Sequence, residues 1–506
     1  MTEPHAEPAD GSTADAAAAP AAAGGAPAAA GAAGEGDAAA APAAAGGAAA
    51  AAGAAGGGGV AGADEDSGAQ LVAVLTSRGY RGLLLVSALL GIPVALIAWA
   101  FLEIVHGLED LLWSKLPEAL GQSEPAWWYG VVVLTLAGLL VGLVVHVLPG
   151  TGGHIPAHGL GGGQPLPKEL PGIVVAAILS LALGAVVGPE APLVAIGAGI
   201  VVVALRRTKV SGQPQAVTLL AVAGSAAAIS TIFGNPVVAA VLMLEVVGFA
   251  GSQVLLVLLP AVMAAGVGSL VFTGLGSWTG LEAPSLTVPG LSAVSLDAAD
   301  LLWSVPLAVV VALVAQAARR TGLNVARAAE RRTVLVTTVV GLIVGVSAAA
   351  YSLLTGHPIS DVLFSGETGL DQLVSSPASW TTGALLALVV FKAIAYAVSI
   401  GAFRGGPTFP ALFLGAALGI LAGGLPGFSV TAGMAVGMAA ATSAVLRLPI
   451  TSIVLVTLLL GTQAFSQIPI VMIASVVGLV TAVSLDGKAT IRPLKVREAR
   501  RAGAET

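Results

Sequence analysis

Glycines and prolines are concentrated at three points of the chain, each beside an apolar stretch. The three junctions are Gly150-Thr-Gly-Gly-His-Ile-Pro156, Gly188-Pro-Glu-Ala-Pro192 and Gly405-Gly-Pro-Thr-Phe-Pro410. The first turn of a helix has four backbone N–H groups without intrahelical partners and carries about half a positive charge. Glycine also lets an ion approach the backbone, so several such helix starts meeting inside a membrane would replace the hydration of an anion. For any one junction alone, the alternative is ordinary close packing of small residues.

Glu190 is a carboxylate within an otherwise uncharged apolar region. Such a charge costs about 2.5 to 3.5 kcal/mol on membrane-insertion scales and is rarely retained without a role. Glu190 lies between Pro189 and Pro192, at a predicted helix start, where its carboxylate would occupy the position that the helix dipole offers to an anion. Protonation would release it, which indicates a gate coupled to pH. The alternative is a buried N-terminal cap.

The composition predicts that these junctions lie in a membrane. The chain has 506 residues, of which 56% are hydrophobic and only 9% charged, and its mean hydropathy is +0.95. A soluble protein of this size would need about a quarter of its residues charged to cover its surface, so we expect a polytopic helical membrane protein. With no cysteine, the chain has neither a disulfide framework nor a thiolate nucleophile.

Many of the apolar stretches are too short to cross a bilayer, which takes about 20 residues. The stretches cover about 82–105, 129–148, 172–187, 192–205, 216–232, 235–250, 254–272, 302–318, 333–353, 383–400, 408–424, 429–445, 449–461 and 466–484. Half-length segments broken by glycine and proline indicate discontinuous helices, which are tolerated at membrane depth where the broken backbone is buried or lines a cavity. This pattern favours a transporter or channel over a simple anchor.

The sequence also contains an internal repeat. Pro192–Ile200 resembles Pro410–Ile420, and each is followed some forty residues later by another apolar segment that begins with proline, at Pro236 and Pro449. Broken helices at equivalent positions of two halves indicate a binding site at the bilayer midplane. We therefore predict an all-α membrane fold of two inverted-topology repeats. The alternative is that any two membrane helices rich in glycine and alanine look alike.

Charge and composition divide the chain into three regions. Residues 1–70 are rich in alanine, glycine and proline and hold nine carboxylates but no lysine or arginine, so we predict a disordered acidic tail. Residues 71–485 form the transmembrane domain, with halves of about 75–275 and 300–485, and 486–506 form a short basic tail. A predicted break at 319–332 holds five arginines, whereas other breaks are acidic. The positive-inside rule then places both termini in the cytoplasm.

Over residues 75 to 485 the chain resembles the CLC family of chloride channels and chloride/proton exchangers. The family junctions G-S-G-I-P, G-R/K-E-G-P and G-x-F-x-P correspond to Gly152-Gly-His-Ile-Pro156, Gly188-Pro-Glu-Ala-Pro192 and Gly406-Pro-Thr-Phe-Pro410. No single junction is identical, but their order and distances agree. Asn235-Pro236 and Arg447-Leu-Pro-Ile-Thr-Ser452 resemble two further family motifs that start helices.

The resemblance implies a CLC-like fold, a homodimer with one pore per subunit in the cell membrane, and transport of chloride or a similar anion. Glu190 matches the gating glutamate that competes with chloride and accepts the external proton. The candidate anion-binding residues all lie at the three junctions: Gly152, Gly153, His154, Ile155, Gly188, Pro189, Ala191, Gly406, Pro407, Thr408 and Phe409. No cofactor or metal is implied.

Three departures from the family pattern bear on the anion site. The chloride-ligating serine falls on Gly153, although Thr151 and His154 are nearby, and the aromatic of G-x-F-x-P falls on Thr408. The last apolar segment, 466–484, contains no tyrosine, whereas many members bind chloride with a tyrosine there. We therefore expect weaker anion binding, or binding by backbone amides alone. The sequence leaves chloride, nitrate, bromide and fluoride open.

A further departure concerns the mechanism. Exchangers of the family commonly carry an internal proton-relay glutamate ten residues after the proline that matches Pro236, and that position is Val246 here. Glu245 matches a glutamate that channels and exchangers share. A proton released by Glu190 would then have no obvious inward carrier. This favours a channel, and an exchanger with another proton route stays open.

Two other classes of protein fit the sequence less well. An intramembrane enzyme would need a nucleophile with a base or a set of metal ligands, and the six histidines are dispersed. A secondary transporter of an organic solute suits broken helices but would carry more polar side chains in its spans. Nucleic-acid binding is unsupported, because the C-terminal basic run is short and lacks aromatic residues.

Overall fold

The computed structural model describes residues 71–160, 164–247, 254–273, 295–375 and 380–486. The predicted disordered tail at 1–70 and the basic tail, apart from Asp486, lie outside these residues. The described part of the chain is helical and contains no strand. The main α-helices are α1 (Arg78–Asp110), α2 (Trp127–Val147), α3 (Leu170–Ala182), α4 (Glu190–Leu205), α5 (Pro214–Phe233), α6 (Pro236–Val247), α7 (Val254–Thr273), α8 (Ala298–Arg331), α9 (Thr333–Thr355), α10 (Glu367–Ser375), α11 (Thr382–Ala402), α12 (Thr408–Ala422), α13 (Val430–Leu446), α14 (Pro449–Leu460) and α15 (Ile468–Asp486). After α1 the chain continues through a π-helical segment (Leu111–Lys115) into a short helical turn (Leu116–Ala119).

Each predicted apolar stretch corresponds to one helix. Among the described residues, eight helices are long and apolar enough to cross a membrane. Six shorter apolar helices, α3, α4, α6, α12, α13 and α14, have 10 to 17 residues. The all-helical membrane fold with half-length helices is therefore confirmed.

Two stretches end in places that the sequence analysis did not predict. The stretch 172–187 is helical only as far as Ala182, because Gly184 turns into the left-handed region at φ 89°. The predicted break at 319–332 was wrong, since α8 continues to Arg331 and is 34 residues long. At 1.5 Å per residue it extends about 51 Å, well beyond a hydrocarbon core of about 30 Å. Its arginines therefore extend the helix instead of interrupting it.

The two halves repeat the same arrangement of broken helices. Pro192 and Pro410 are each the third residue of their helix, α4 and α12. Further on, α6 and α14 both have 12 residues and both begin with proline. The helix before each ends at a left-handed residue, Gly234 at φ 58° and Arg447 at φ 63°. The internal repeat is therefore present in the structure.

Glycine-on-glycine contacts hold the short helices against their neighbours in both halves. A Cβ atom added to Gly197 of α4 would lie 2.5 Å from the carbonyl oxygen of Gly224 in α5. In the second half, a Cβ on Gly415 of α12 would overlap the carbonyl of Gly437 in α13. Small residues at such crossings let helix backbones touch, which is how membrane helices gain packing energy without a hydrophobic driving force. These contacts hold α4 close against α5 and α12 close against α13.

Glu245 joins the two halves at the end of α6. Its Oε1 accepts a hydrogen bond of 2.8 Å from the backbone N–H of Ile450, and its Oε2 accepts one of 2.6 Å from that of Thr451. Both amides belong to the first turn of α14, so the carboxylate of one half caps a helix of the other. Both oxygens of Glu245 are therefore engaged in this cap.

Replacing Glu245 with alanine should destabilise the folded protein. The change leaves two helix-start amides without their carboxylate and is expected to lower the free energy of unfolding by about 2 kcal/mol. The thermal unfolding midpoint of the purified protein measures this. Glu118→Ala, at an exposed glutamate, is the matched control and should change stability by less than about 0.5 kcal/mol. Equal midpoints for the two variants would contradict the capping role.

Candidate functional site

The second and third junctions meet in the interior of the protein. The N–H of Gly188 donates a hydrogen bond of 2.7 Å to the carbonyl of Gly406, and the N–H of Gly406 donates to the carbonyl of Gly188 in return. This antiparallel bridge joins backbone 218 residues apart in sequence. It brings the start of α4 beside the start of α12, so two helix N-termini lie at one place.

The carboxylate of Glu190 lies between these two helix starts. The side chain is fully buried, and Oε1 accepts a hydrogen bond of 3.0 Å from the backbone N–H of Phe409, the second residue of α12. The backbone amides of Glu190 and Thr408 also face the carboxylate. The carboxyl group of Glu190 therefore occupies a position lined by backbone N–H groups of both halves.

Gly188 and Gly406 provide the space for this carboxylate. A Cβ atom on Gly188 would lie 2.6 Å from Glu190 Oε1, and one on Gly406 would overlap Oε2. Neither glycine has a positive φ. The reason for glycine at both positions is therefore the room that the carboxylate needs.

Two polar atoms of this site have no hydrogen-bond partner among the described residues. They are Glu190 Oε2 and Thr408 Oγ1, and both are fully buried. The Thr408 side chain faces the carboxylate but makes no hydrogen bond of ordinary geometry with it. A buried polar group without a partner is costly, by about 1 to 3 kcal/mol. Such groups are available to a proton, a water molecule or an ion.

The remaining predicted residues of these two junctions lie at the helix starts. Pro189 and Pro407 immediately precede α4 and α12, and Ala191 is the second residue of α4. The amides of Ala191 and Phe409 therefore hold equivalent positions in the two halves. Seven predicted site residues besides Glu190 are thus brought together, namely Gly188, Pro189, Ala191, Gly406, Pro407, Thr408 and Phe409.

The first junction forms a separate loop. Thr151, Gly152 and Gly153 all have positive φ, at 51°, 70° and 95°. A Cβ on Gly153 would lie 3.2 Å from Ile173 Cγ1. Both the backbone conformation and the space therefore disfavour a side chain here, which explains why glycine stands where the family has serine. No hydrogen bond among the described residues joins this loop directly to the Glu190 carboxylate.

His154 and Ile155 continue this loop. The Nε2 of His154 lies 2.8 Å from the carbonyl of Gly159 within the same loop. Burial, the charge of His158 and the charge of Arg404 lower the pKa of His154 to about 4, although the hydrogen bond to Gly159 opposes this. The imidazole is therefore neutral near pH 7 and donates through Nε2. Ile155 precedes a short 3-10 turn at Pro156–His158.

Arg404 and Tyr396 belong to the site and were not predicted from the sequence. Arg404 is 6% exposed, and its Nε donates a hydrogen bond of 3.1 Å to the carbonyl of Thr151, which links the first junction to the third. The hydroxyl of Tyr396 donates a hydrogen bond of 2.9 Å to the carbonyl of Pro407. The reasoning applied to Glu190, that a charge in an apolar region is kept for a role, would have identified Arg404 as well.

Val246 lies near the end of α6 and is half-buried against the apolar core. Its neighbour Glu245 is the carboxylate that caps α14. The structure thus places an apolar side chain at the predicted relay position, and the nearest carboxylate along the chain is already engaged.

Two comparisons of the sequence with known proteins identify relatives. Residues 155–483 match the family model described as "Voltage gated chloride channel". The protein described as "Putative ion-transport protein YfeO" from Escherichia coli O139:H28 is 33% identical over 343 residues, which is 66% of this chain and 77% of that protein. The protein of the same description from Shigella boydii serotype 4 is 34% identical over the same shares.

Solved structures show the same fold. A slow cyanobacterial Cl−/H+ antiporter superposes with a TM-score of 0.66 over 80% of this chain and 95% of that chain, at 18% identity. A CLC-type fluoride/proton antiporter gives a TM-score of 0.56 over 79% and 95%, also at 18% identity. These matches confirm the architecture of two inverted repeats. Together with the family model and the YfeO relatives, they show that this chain belongs to the CLC family of voltage-gated chloride channels and anion transporters.

Proposed function

We propose that the protein moves chloride or a similar small anion across the membrane through a passage that Glu190 gates. The observation that carries this proposal is the hydrogen bond of 3.0 Å from the N–H of Phe409 to Glu190 Oε1. It supports a carboxylate that competes with an anion for the backbone amides at the start of α12. Membership of an anion-transporting family supports the same conclusion.

The gate acts through the charge of the carboxylate. While it is ionised, Glu190 is held by the amides of the α4 and α12 starts and excludes an anion from them. When the carboxylate binds a proton it loses this attraction and leaves the position to an anion. Oε2 has no hydrogen-bond partner among the described residues, so it is the oxygen that can take the proton.

The residues at the end of α6, Glu245 and Val246, favour a channel over an exchanger. Val246 cannot carry a proton, and both oxygens of Glu245 accept hydrogen bonds from α14. A proton bound at Glu190 therefore has no carboxylate relay along α6. Anions would then pass whenever Glu190 is displaced, and no fixed number of protons would accompany them.

An exchanger is the second candidate, and the solved structures support it. The structural neighbours are described as a Cl−/H+ antiporter and a fluoride/proton antiporter. An exchanger of this fold would need an inward proton route that avoids position 246. Fluoride is accordingly the second candidate anion beside chloride.

Flux from proteoliposomes distinguishes the two forms. The purified protein is placed in liposomes under a chloride gradient, valinomycin with potassium sets the voltage, and a pH electrode records proton movement. We expect chloride efflux without stoichiometric proton movement. Protons driven uphill by the chloride gradient would instead establish an exchanger, and the absence of any anion flux would overturn the proposed function itself.

We also propose that the protein is a homodimer of the cell membrane with both termini in the cytoplasm. The arginines at the end of α8 and those at 206–207, just after α4, support this orientation by the positive-inside rule. The acidic breaks between other helices would then face outward. Each subunit would hold its own passage, because one chain supplies both helix starts around Glu190.

A further inference from the structure

Arg404 carries a positive charge inside the protein without a carboxylate partner. It is 6% exposed, and none of the ion pairs formed by the described residues includes it. Its partners are carbonyl oxygens: Nη1 donates to Ala402 at 2.9 Å and to Phe403 at 3.3 Å, and Nε donates to Thr151 at 3.1 Å. A buried charge with no counter-charge is expensive, and carbonyl dipoles offset only part of that cost.

The Nη2 atom of the Arg404 guanidinium makes none of these hydrogen bonds. Nη2 makes no hydrogen bond to any described residue, and it is not among the fully buried polar atoms that lack a partner. It therefore keeps some access to the space around it. An arginine side chain has five N–H donors, and the two on Nη2 are the pair that no described residue accepts.

Arg404 lies beside the first junction, where the sequence analysis found no serine hydroxyl to bind an anion. A Cβ on Gly152 would lie 3.3 Å from Arg404 Cγ, so the arginine stem runs beside the glycines of the first junction. Gly153 has no hydroxyl where the resemblance implies a serine, and the Nε2 of His154 already donates a hydrogen bond to the Gly159 carbonyl. Arg404 is thus the cationic donor next to a loop that lacks its usual anion ligand.

We propose that Arg404 binds the transported anion through Nη2, at a position beside the Thr151–His154 loop. The inference rests on the proposed function, and it names the residue that compensates for the missing hydroxyl. The anion supplies the counter-charge that the described residues do not. A chloride held there has its charge neutralised by a guanidinium, which is less strongly hydrated than an ammonium and so costs less to keep at this depth.

Calorimetric titration of the purified protein with chloride tests this assignment. Arg404→Gln removes the charge and should weaken chloride binding by about tenfold or more, the value of one hydrogen bond between charged groups. Arg404→Lys keeps the charge but replaces the guanidinium with a more strongly hydrated ammonium, so it should weaken chloride binding less than Arg404→Gln does. Arg319→Gln is the matched control, because the Arg319 charge is paired with Asp486 at 3.3 Å, and it should leave the affinity unchanged.

The readout separates binding from stability. If Arg404 served only to cap the carbonyl groups at the C-terminal end of α11, Arg404→Gln would lower the thermal unfolding midpoint and leave the chloride affinity of the folded protein unchanged. That result overturns the proposal, and so does an equal loss of affinity in the lysine and glutamine variants.

Anomalous diffraction from the wild-type protein with bromide covers the case in which Arg404→Gln does not fold. We expect a bromide peak within hydrogen-bond distance of Nη2. Bromide at the amides around Phe409 but none at Arg404 would overturn the inference while leaving the proposed function intact. Failure of the proposed function would look different, because wild-type proteoliposomes would then release no anion.

Discussion

Replacing Glu190 with glutamine is expected to abolish the pH dependence of anion flux while leaving the fold intact. In the wild type, flux should rise by roughly tenfold or more between pH 8 and pH 5, because each protonated carboxylate frees the amides that it occupies. Glutamine has nearly the same size and stays uncharged at every pH, so its flux should be high and should vary less than about twofold over this range. Chloride efflux from proteoliposomes at stepped external pH measures both.

Glu103→Gln is the matched control for this change. Glu103 is an exposed carboxylate on α1, and the substitution removes the same charge by the same isosteric step. Its pH profile should match that of the wild type. If Glu190→Gln also kept the wild-type profile, Glu190 would be a structural cap and not the gate.

Replacing Gly406 with alanine should displace the Glu190 carboxylate without removing it. The new methyl group would overlap Oε2, and alanine is otherwise compatible with the backbone because φ at Gly406 is not positive. We expect flux that has lost most of its pH dependence, as in Glu190→Gln, and a stability loss of about 1 to 3 kcal/mol from overpacking. Flux at stepped pH and thermal unfolding test the two parts.

A double-mutant cycle assigns the effect to the contact. Glu190→Ala removes the carboxylate and leaves only its Cβ, 3.1 Å from the position of the new methyl group. Gly406→Ala should therefore cost much less in the Glu190→Ala background than in the wild type, which gives a coupling of about 1 kcal/mol or more. Gly383→Ala is the control, since no atom of the described residues lies within 4 Å of a Cβ there. Additive effects would show that the two residues do not compete for space.

Proline and glycine placement determined the helix starts at the level of the sequence. Proline has a fixed φ and no N–H, so it suits the first turn of a helix, and the starts at Pro236 and Pro449 were predicted correctly. Hydropathy likewise determined the all-helical class, since the bilayer admits little else. Hydropathy did not determine where α8 ends, because arginine is a good helix former and the helix continues beyond the apolar region.

Glu190 could be singled out from the sequence because the free-energy cost of placing a carboxylate in an apolar segment depends only on nearby residues. A carboxylate in an apolar segment is unfavourable whatever surrounds it, so it marks a site before any contact is known. Arg404 carries the same local signal. The sequence cannot show that its Nε donates a hydrogen bond to the Thr151 carbonyl of another junction, or that Nη2 has no hydrogen-bond partner among the described residues.

Sequence alone thus determined that this is a helical membrane protein, and it located three junctions rich in glycine and proline and the carboxylate of Glu190 within an apolar segment. Only the tertiary structure decided which junctions meet: the Gly188–Gly406 bridge and the hydrogen bond from Phe409 to Glu190 join residues more than 200 positions apart. The physical reason is that helix starts and insertion costs depend on neighbouring residues, whereas the meeting of two helix starts depends on how the glycine crossings pack α4 and α12 against α5 and α13.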